Sequence, residues 1–555
     1  MPSFLPILAA LVTFAVSLTA VSPIPAVIDI VVPPAFDLHT VSPSFVSLSI
    51  EQDRWTDWSG TTSRNEFFYN VMENLKDLTG SSPGIRIGAN SEDRTDFNRA
   101  VQYAEDVFPA PNPTTPYPEA THITVGDGYY TTAKYLLPDT EVIWGVNFGK
   151  KNLTAAVLEA TSIMRAFSGP DISNLGISLK YLEIGNEPDL YMNNGLRSGD
   201  YNVGQYVTEY LEFVPSPLKR IPHSLQCLRW SDFANVIFQE IELNTTSTRF
   251  LAGAFAGSSS NLNGFSPQAI YNLGITESPA GEYIAAFSEH HYQGSFCSGS
   301  EGVLSDLMNK ANIRGNLSQY ASDIQATHAQ GLEYIFGETN SYSCHGAPGV
   351  SNTAGAAIWA LDYMLYAATL DIQHVYFHDG IGFKYNLIQP VTLTRSILDG
   401  STLPSPLSPH VQPQYYAGIV AAEAIGKSGN TQISELDIDD PQISGFVFYE
   451  DYEEKRMILI NHTPYFYEDE SAGTQRPVTD VRINFPKHCG GTQNIVVKML
   501  EIQHSDDTSG VTWGGQSYDT SDGLVKGSPF TGTVALNESL GVPASQAALV
   551  VFECS

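Results

Sequence analysis

The chain has 555 residues, enough to bury a large core and to form more than one domain. Hydrophobic residues make up 42% and charged residues 16%, a balance that excludes an intrinsically disordered chain. Lys and Arg number 28 against 60 Asp and Glu, a formal charge of −32. Repulsion from that excess argues against nucleic acid and other polyanions as partners, since no run of Lys or Arg offsets it, and it suits mildly acidic surroundings.

Residues 1–20 hold an uncharged apolar stretch, Phe4 to Ala20, that ends in small residues and predicts a cleaved signal peptide. The basic start usual in such leaders is missing, since the first basic residue is Arg54. The stretch is slightly short for a bilayer span and no other segment is long enough, so no membrane association is expected after cleavage. Residues 21–42 follow, and their strand-like Pro25–Val32 is expected to join a β-sandwich at the other end of the chain.

From 43 to 428 short apolar runs rich in β-branched and aromatic residues alternate with helical stretches. The strand candidates are Phe45–Ile50, Ile85–Gly88, Val142–Phe148, Tyr181–Glu187, Phe250–Ala256, Tyr283–His290, Glu333–Gly337 and His374–His378. Helices are expected between them, among them Arg64–Leu78, Leu153–Phe167, Ser231–Glu242 and Ser318–Gln330, with Gln414–Gly426 last. Eight such units predict an α/β fold, a (β/α)8 TIM barrel. The Pro/Ser-rich Ser401–Pro413 is read as a loop before the last barrel helix. Helical periodicity stops beyond Gly429, and short alternating segments over 429–555 predict an antiparallel β-sandwich.

Five N-x-[ST] sequons, at Asn152, Asn244, Asn316, Asn461 and Asn537, agree with export and glycosylation. Of the five cysteines, Cys489 and Cys554 could clip the last strand of the sandwich, and Cys297 and Cys344 follow neighbouring strands and could pair. Cys227 is left as a buried thiol. No Cys/His cluster has metal-ligand spacing, so no metal is expected. Oligomeric state leaves no signal in the sequence.

Catalytic groups of a TIM barrel sit at the C-terminal ends of its strands. The fourth candidate ends Tyr181-Leu-Glu-Ile-Gly-Asn-Glu-Pro188, and Pro188 is expected to bias Glu187 toward an extended conformation. Strict alternation would send Glu187 and Asn186 to opposite sides. The seventh candidate ends Tyr334-Ile-Phe-Gly-Glu338, an apolar run stopping at a carboxylate that needs solvent or a partner. Glycoside hydrolysis requires two such carboxyls, one to protonate the leaving oxygen and one to attack or stabilise the anomeric centre. Arg86 lies inside the apolar strand Ile85–Gly88 and must be paired, with Glu338 a fitting partner. Glu51 either binds a sugar hydroxyl or faces solvent. In the pair His290-His291 adjacent residues face opposite ways, which argues against a shared metal.

Ile184-Gly-Asn-Glu-Pro-Asp189 and Phe336-Gly-Glu-Thr-Asn-Ser341, with the added sandwich, resemble glycoside hydrolase family 79, the β-glucuronidases and heparanases of a retaining TIM-barrel clan. That resemblance implies Glu187 as acid/base and Glu338 as nucleophile. It implies further that Asn186 meets the sugar 2-hydroxyl and that Tyr292 donates to the nucleophile. Tyr385, with main-chain N–H groups of the Tyr342–Gly346 loop, would bind the C5 carboxylate of glucuronate. Cys344 and His345 depart from the Gly-rich loop of some relatives. The expected activity is a secreted retaining exo-β-glucuronidase acting on terminal glucuronate, 4-O-methylated or not, of a carbohydrate substrate, with no cofactor. A heparanase-like endo-enzyme and a neutral-sugar glycosidase are the alternatives. A non-catalytic glycan-binding protein would need neither Glu187 nor Glu338.

Overall fold

The computed structural model describes residues 27–36, 38–211, 234, 237–297, 301–484, 494–535 and 538–552. The leader, Cys227, Cys489, Cys554, Asn537 and much of the predicted helix Ser231–Glu242 lie outside the described residues.

Eight parallel strands close into a barrel: β1 (Val46–Glu51), β2 (Ile85–Gly88), β3 (Glu141–Val146), β4 (Ser178–Ile184), β5 (Arg249–Phe255), β6 (Ile284–Ser295), β7 (Glu333–Ser343) and β8 (His374–Asp379). Each is one of the runs picked out by apolar composition, and β8 pairs with β1 to seal the ring. Strands buried on both faces must be apolar almost throughout, which explains their continuous rather than alternating patterns. Inside the barrel, Ile143, Tyr181, Leu251, Ala286, Ile335 and Tyr376 form a separate apolar plug. Buried polar side chains, Ser49, Arg86, Glu183 and Ser288, belong to the same strands.

The helix Glu66–Thr79 begins at Asn65, whose side chain accepts from the Phe68 N–H, and stops at Gly80 with φ of 79°. Within the expected Ser318–Gln330 helix the structure has Ala321–His328, preceded by a separate helix, Lys310–Ser318. The helices Ala354–Thr369 and Gln414–Ile425 are buried nearly all round because the C-terminal domain covers the side that would otherwise face water. Ser401–Pro413 is not a plain loop. Thr402–Leu407 pairs with Leu393–Arg395, and His410–Val411 with Ile388–Gln389, so backbone ladders satisfy what a loop would leave to water.

Two sheets make the C-terminal domain. The larger runs His39–Thr40, Gln432–Glu435, Ile443–Glu450, Glu453–Asn461, Ala547–Val551, Asn494–Glu501 and Thr512–Trp513, with Gly532–Ala535 also paired to Asn494–Glu501. The smaller holds Ile28–Val31, Val478–Asn484 and Leu540–Pro543. The N-terminal segment therefore does join the sandwich, although Ile28–Val31 pairs in parallel with Val478–Asn484. Ile30, Val447, Leu459, Val481, Val542 and Val550 fill the space between the sheets. Asn461 lies in that interior at 0% exposure, its Nδ2 donating to the Val542 carbonyl at 2.9 Å, so it cannot serve as a glycan acceptor in the folded chain. Asn152 and Asn244 are exposed, and Asn316 is half-buried. No helix among the described residues is long and apolar enough to cross a membrane.

Candidate active site

Strand β4 stops at Ile184, three residues short of Glu187. Gly185 turns the chain at φ of 82°, where a Cβ would lie 2.5 Å from Tyr191 Oη and 2.7 Å from Phe148 Cβ. Glu187 has φ of 50° and ψ of 53°. Pro188 does exclude the right-handed helix for the residue before it, but Glu187 falls into the left-handed region and not the extended one expected. Its N–H donates to the Ala254 carbonyl at 2.8 Å, and its carbonyl accepts from the Leu190 N–H at 2.9 Å. A glutamate at positive φ is strained, and such strain gathers at functional sites. The turn breaks the alternation, so Asn186 and Glu187 both reach the site.

Glu338 lies within β7, next to a register shift on each side. Tyr292 Oη donates to Oε1 at 2.7 Å and Arg86 Nη1 to Oε2 at 2.9 Å, as the sequence led us to expect. His378 Nδ1 stands 3.9 Å and His290 Nδ1 4.0 Å from Oε2. His290 Nδ1 also lies 3.0 Å from Glu187 Oε1. Carboxylate oxygens of Glu187 and Glu338 come within 4.8 Å of each other.

The two carboxyls share a pocket but not a protonation state. Burial, then the negative charge of Glu338, pushes Glu187 up to about 8. Burial acts the same way on Glu338, yet His378, Arg86 and the Tyr292 hydroxyl hold it well below the usual carboxylate range. Burial brings His290 down to about 4, so at neutral pH it is uncharged and Arg86 and His378 supply the positive charge. Burial would also lower His378, but Glu338 and Glu51 raise it to about 9. One group is thus kept protonated beside another kept ionised, the division of labour that acid and nucleophile require.

The other predicted residues divide. Asn186 Oδ1 accepts from Arg86 Nη2 at 2.8 Å, and its Nδ2 lies 3.5 Å from Asn90 Oδ1. Tyr385 lines the cleft, its ring 6.0 Å from that of Tyr292. Glu51 neither faces solvent nor lines the cleft. It is 1% exposed, its Oε1 accepts from the Ser91 N–H at 2.7 Å, and its Oε2 lies 3.3 Å from His378 Nε2. Tyr342 turns away from the cleft to pack under Gly294 and Gly302. The Gly346 N–H is spent on the Tyr342 carbonyl at 3.1 Å, so it closes a turn and is not offered to a ligand. Ser343, Cys344 and His345 form the cleft wall there, with Cys344 and His345 at φ of 61° and 67°. The Cys297–Cys344 disulfide clamps this strained turn, and His345 stacks on Phe383 while meeting Glu119 at 3.0 Å. His291 borders the cleft, but its ring stacks on Tyr363 and its Nδ1 lies 2.9 Å from the Tyr363 hydroxyl.

Sequence reasoning missed His378, Glu119, Glu183 and the role of His290. His378 ends the predicted run His374–His378 as Glu338 ends its own apolar run, and that parallel was a usable signal. Glu119 lies in a loop without periodicity and offered none. Glu187, His290 and Glu338 could together ligate a metal ion. A carboxyl protonated up to about pH 8 is a poor ligand, however, and Arg86 already neutralises Glu338.

The pair opens into a cleft of about 1170 Å³ over the barrel mouth, also walled by Asn90, Arg94 and Glu119. A barrel carrying a proton-holding and an ionised carboxyl over one gap defines a glycoside hydrolase. Residues 445–549 match the glycosyl hydrolase family 79 C-terminal beta domain. That match supports glycoside hydrolase family 79 for this chain. It is 26% identical over 500 residues to a β-glucuronidase of Aspergillus niger, covering 87% of this chain and 84% of that one. It is 28% identical over 522 residues to a β-glucuronidase of Neurospora crassa, covering 87% and 85%. The same fold occurs in a 4-O-α-L-rhamnosyl-β-D-glucuronidase from Fusarium oxysporum, at 21% identity and a TM-score of 0.73 over 94% of this chain and 100% of that one.

Proposed function

We propose that the chain is a retaining exo-β-glucuronidase that releases terminal β-linked glucuronate from glycans by double displacement. The separation of the carboxyls carries the mechanism. Retaining glycosidases hold them about 5–5.5 Å apart, whereas inverting ones leave about 6.5–9.5 Å for a water. The approach within 4.8 Å of Glu187 and Glu338 supports the former. Glu338 attacks the anomeric carbon as Glu187 gives its proton to the departing oxygen, and a glycosyl-enzyme forms. Glu187, now a carboxylate, takes a proton from the water that displaces Glu338, and the β configuration returns. Asn186 Nδ2 is the donor for the 2-hydroxyl. Acid and nucleophile together suffice for this chemistry.

The fungal relatives named β-glucuronidases support the substrate class. Tyr385 and the backbone of Ser343–His345 supply neutral donors on one wall for a sugar carboxylate. The strap Pro109–Pro118 stands beside the cleft, braced by Tyr117, whose hydroxyl accepts from the Arg395 N–H at 2.9 Å. That wall suits a terminal sugar better than a through-running chain. A charge of −32 also disfavours a polysulfated polymer. Export is supported by the leader-like start and by the exposed sequons at Asn152 and Asn244.

An aryl β-glucuronide compared with the matching β-glucoside tests the substrate class, and hydrolysis of the glucoside alone would remove it. NMR of the first-formed sugar tests the mechanism, since an α product contradicts retention.

A further inference from the structure

Beneath the catalytic pair, Arg86 is gripped from two sides. Toward the cleft, Nη1 donates to Glu338 Oε2 at 2.9 Å and to Ser49 Oγ at 2.9 Å, and Nη2 donates to Asn186 Oδ1 at 2.8 Å. On the other side, Nε and Nη2 both donate to Glu183 Oε1, at 2.9 and 2.6 Å. One planar guanidinium thereby ties the nucleophile and the neighbour of the acid to a carboxylate outside the cleft wall, itself only 1% exposed. Because the guanidinium fork is rigid, an anchor on Nε and Nη2 fixes where Nη1 points.

A third carboxyl, Glu92, lies 4.0 Å from Nη2, fully buried, and shares a hydrogen bond with Glu183. Its place is cut out by two glycines. A Cβ on Gly145 would overlap Glu92 Oε2, and one on Gly88 would lie 2.5 Å from it. Three carboxyls thus surround a single cation. Burial, then the charge of Glu183, keeps Glu92 protonated, so Glu183 and Glu338 are the two that share the charge of Arg86.

We propose that Glu183 is a positioning residue of the catalytic pair, holding in place through Arg86 the guanidinium that Glu338 and Asn186 share, while Glu92, 4.0 Å away, only packs against it. This rests on the assignment of Glu187 and Glu338 proposed above. Glu187 is faced by Glu338, Arg86, His378, Glu119 and His290, and by Asp189 on its own turn. Removing the charge of Glu183 leaves Arg86 less compensated. The ionised form of Glu187 then becomes easier to reach.

The experiment is the pH profile of kcat/KM on 4-nitrophenyl β-D-glucuronide, with kcat and Tm, for the full chain and four variants. Glu183→Gln should move the basic limb down by about one pH unit and lower kcat about 10- to 100-fold. Glu183→Asp keeps the charge but withdraws it from the guanidinium, so it should lower kcat while leaving the limb in place. Glu92→Gln should leave the limb unmoved. A limb unmoved in Glu183→Gln, or moved equally in Glu92→Gln, overturns the proposal. If Glu183→Gln does not fold, wild-type turnover in Glu183→Asp overturns it instead. Glu338→Ala in the same assay separates the two readings, because residual wild-type turnover there would sink the catalytic pair itself.

Discussion

The hydroxyl of Tyr292 and Oε1 of Glu338 lie 2.7 Å apart, joined from neighbouring strands, while Arg86 holds Oε2 from β2. The nucleophile is therefore fixed by one bond to each oxygen. A hydrogen bond to a charged group contributes about 1.5–3 kcal/mol, so Tyr292→Phe should cost about 10- to 100-fold in kcat. The nucleophile works ionised, and losing a donor raises its pKa. The acid limb of the profile should accordingly move up, and a limb that stays put would deny Tyr292 this role.

Glu187 is the proton donor only while protonated, and its carboxyl is pushed up to about 8 by burial and by Glu338. Activity should persist into acid, where Glu338 stays ionised, and should fall as pH rises through about 8. In Glu187→Ala that basic limb should vanish for aryl glycosides with good leaving groups, whose kcat/KM should largely survive while kcat falls, because the glycosyl-enzyme has lost the base that activates water. Equal loss for good and poor leaving groups would contradict the assignment.

Gly346 has φ of 87°, and a Cβ there would lie 2.9 Å from the Tyr385 nitrogen and 2.9 Å from Ser351 Cβ. Gly346→Ala should push Tyr385 off the cleft wall and raise KM for a β-glucuronide about tenfold or more, consistent with strain of about 1–3 kcal/mol. Reducing the Cys297–Cys344 bond should act in the same direction by releasing the turn it clamps. Steady-state kinetics before and after reduction check both, and unchanged KM in each would separate this turn from substrate binding.

Arg314 joins barrel to sandwich: Nη1 and Nη2 meet Asp362 at 2.5 and 2.9 Å, and Nη2 meets Glu435 at 2.7 Å. Asp362 is fully buried, and although burial would raise it, Arg314 and His462 hold it well below the ordinary range. Arg314→Met should cost about 3–5 kcal/mol by leaving that buried carboxylate with His462 alone. Denaturant unfolding measures it, and a loss below about 1 kcal/mol would show that the pair contributes only as exposed ones do.

Glycan mapping of the expressed protein should find Asn461 unmodified. Its buried amide also accepts from the Thr463 N–H at 3.0 Å, so Asn461→Gln should lower Tm.

Much of this protein was legible in the residues alone. Apolar runs buried on both faces announce barrel strands, and polar side chains that end such runs, Glu338 above all, announce a site, because a carboxylate in that position needs a function or a partner. The Asn-Glu-Pro triplet marked Glu187. What the residues could not convey is direction and company. The left-handed turn at Gly185 and Glu187 depends on the Ala254 carbonyl, a contact from another strand. Glu51 looked like a rim residue but is drawn to Ser91 and His378, and Asn461 looked like a surface sequon until the second sheet covered it. Local propensity and hydrophobic period are written along the chain. Which carboxyl keeps its proton is decided by burial and by charges brought from distant strands, and those exist only once the barrel has closed.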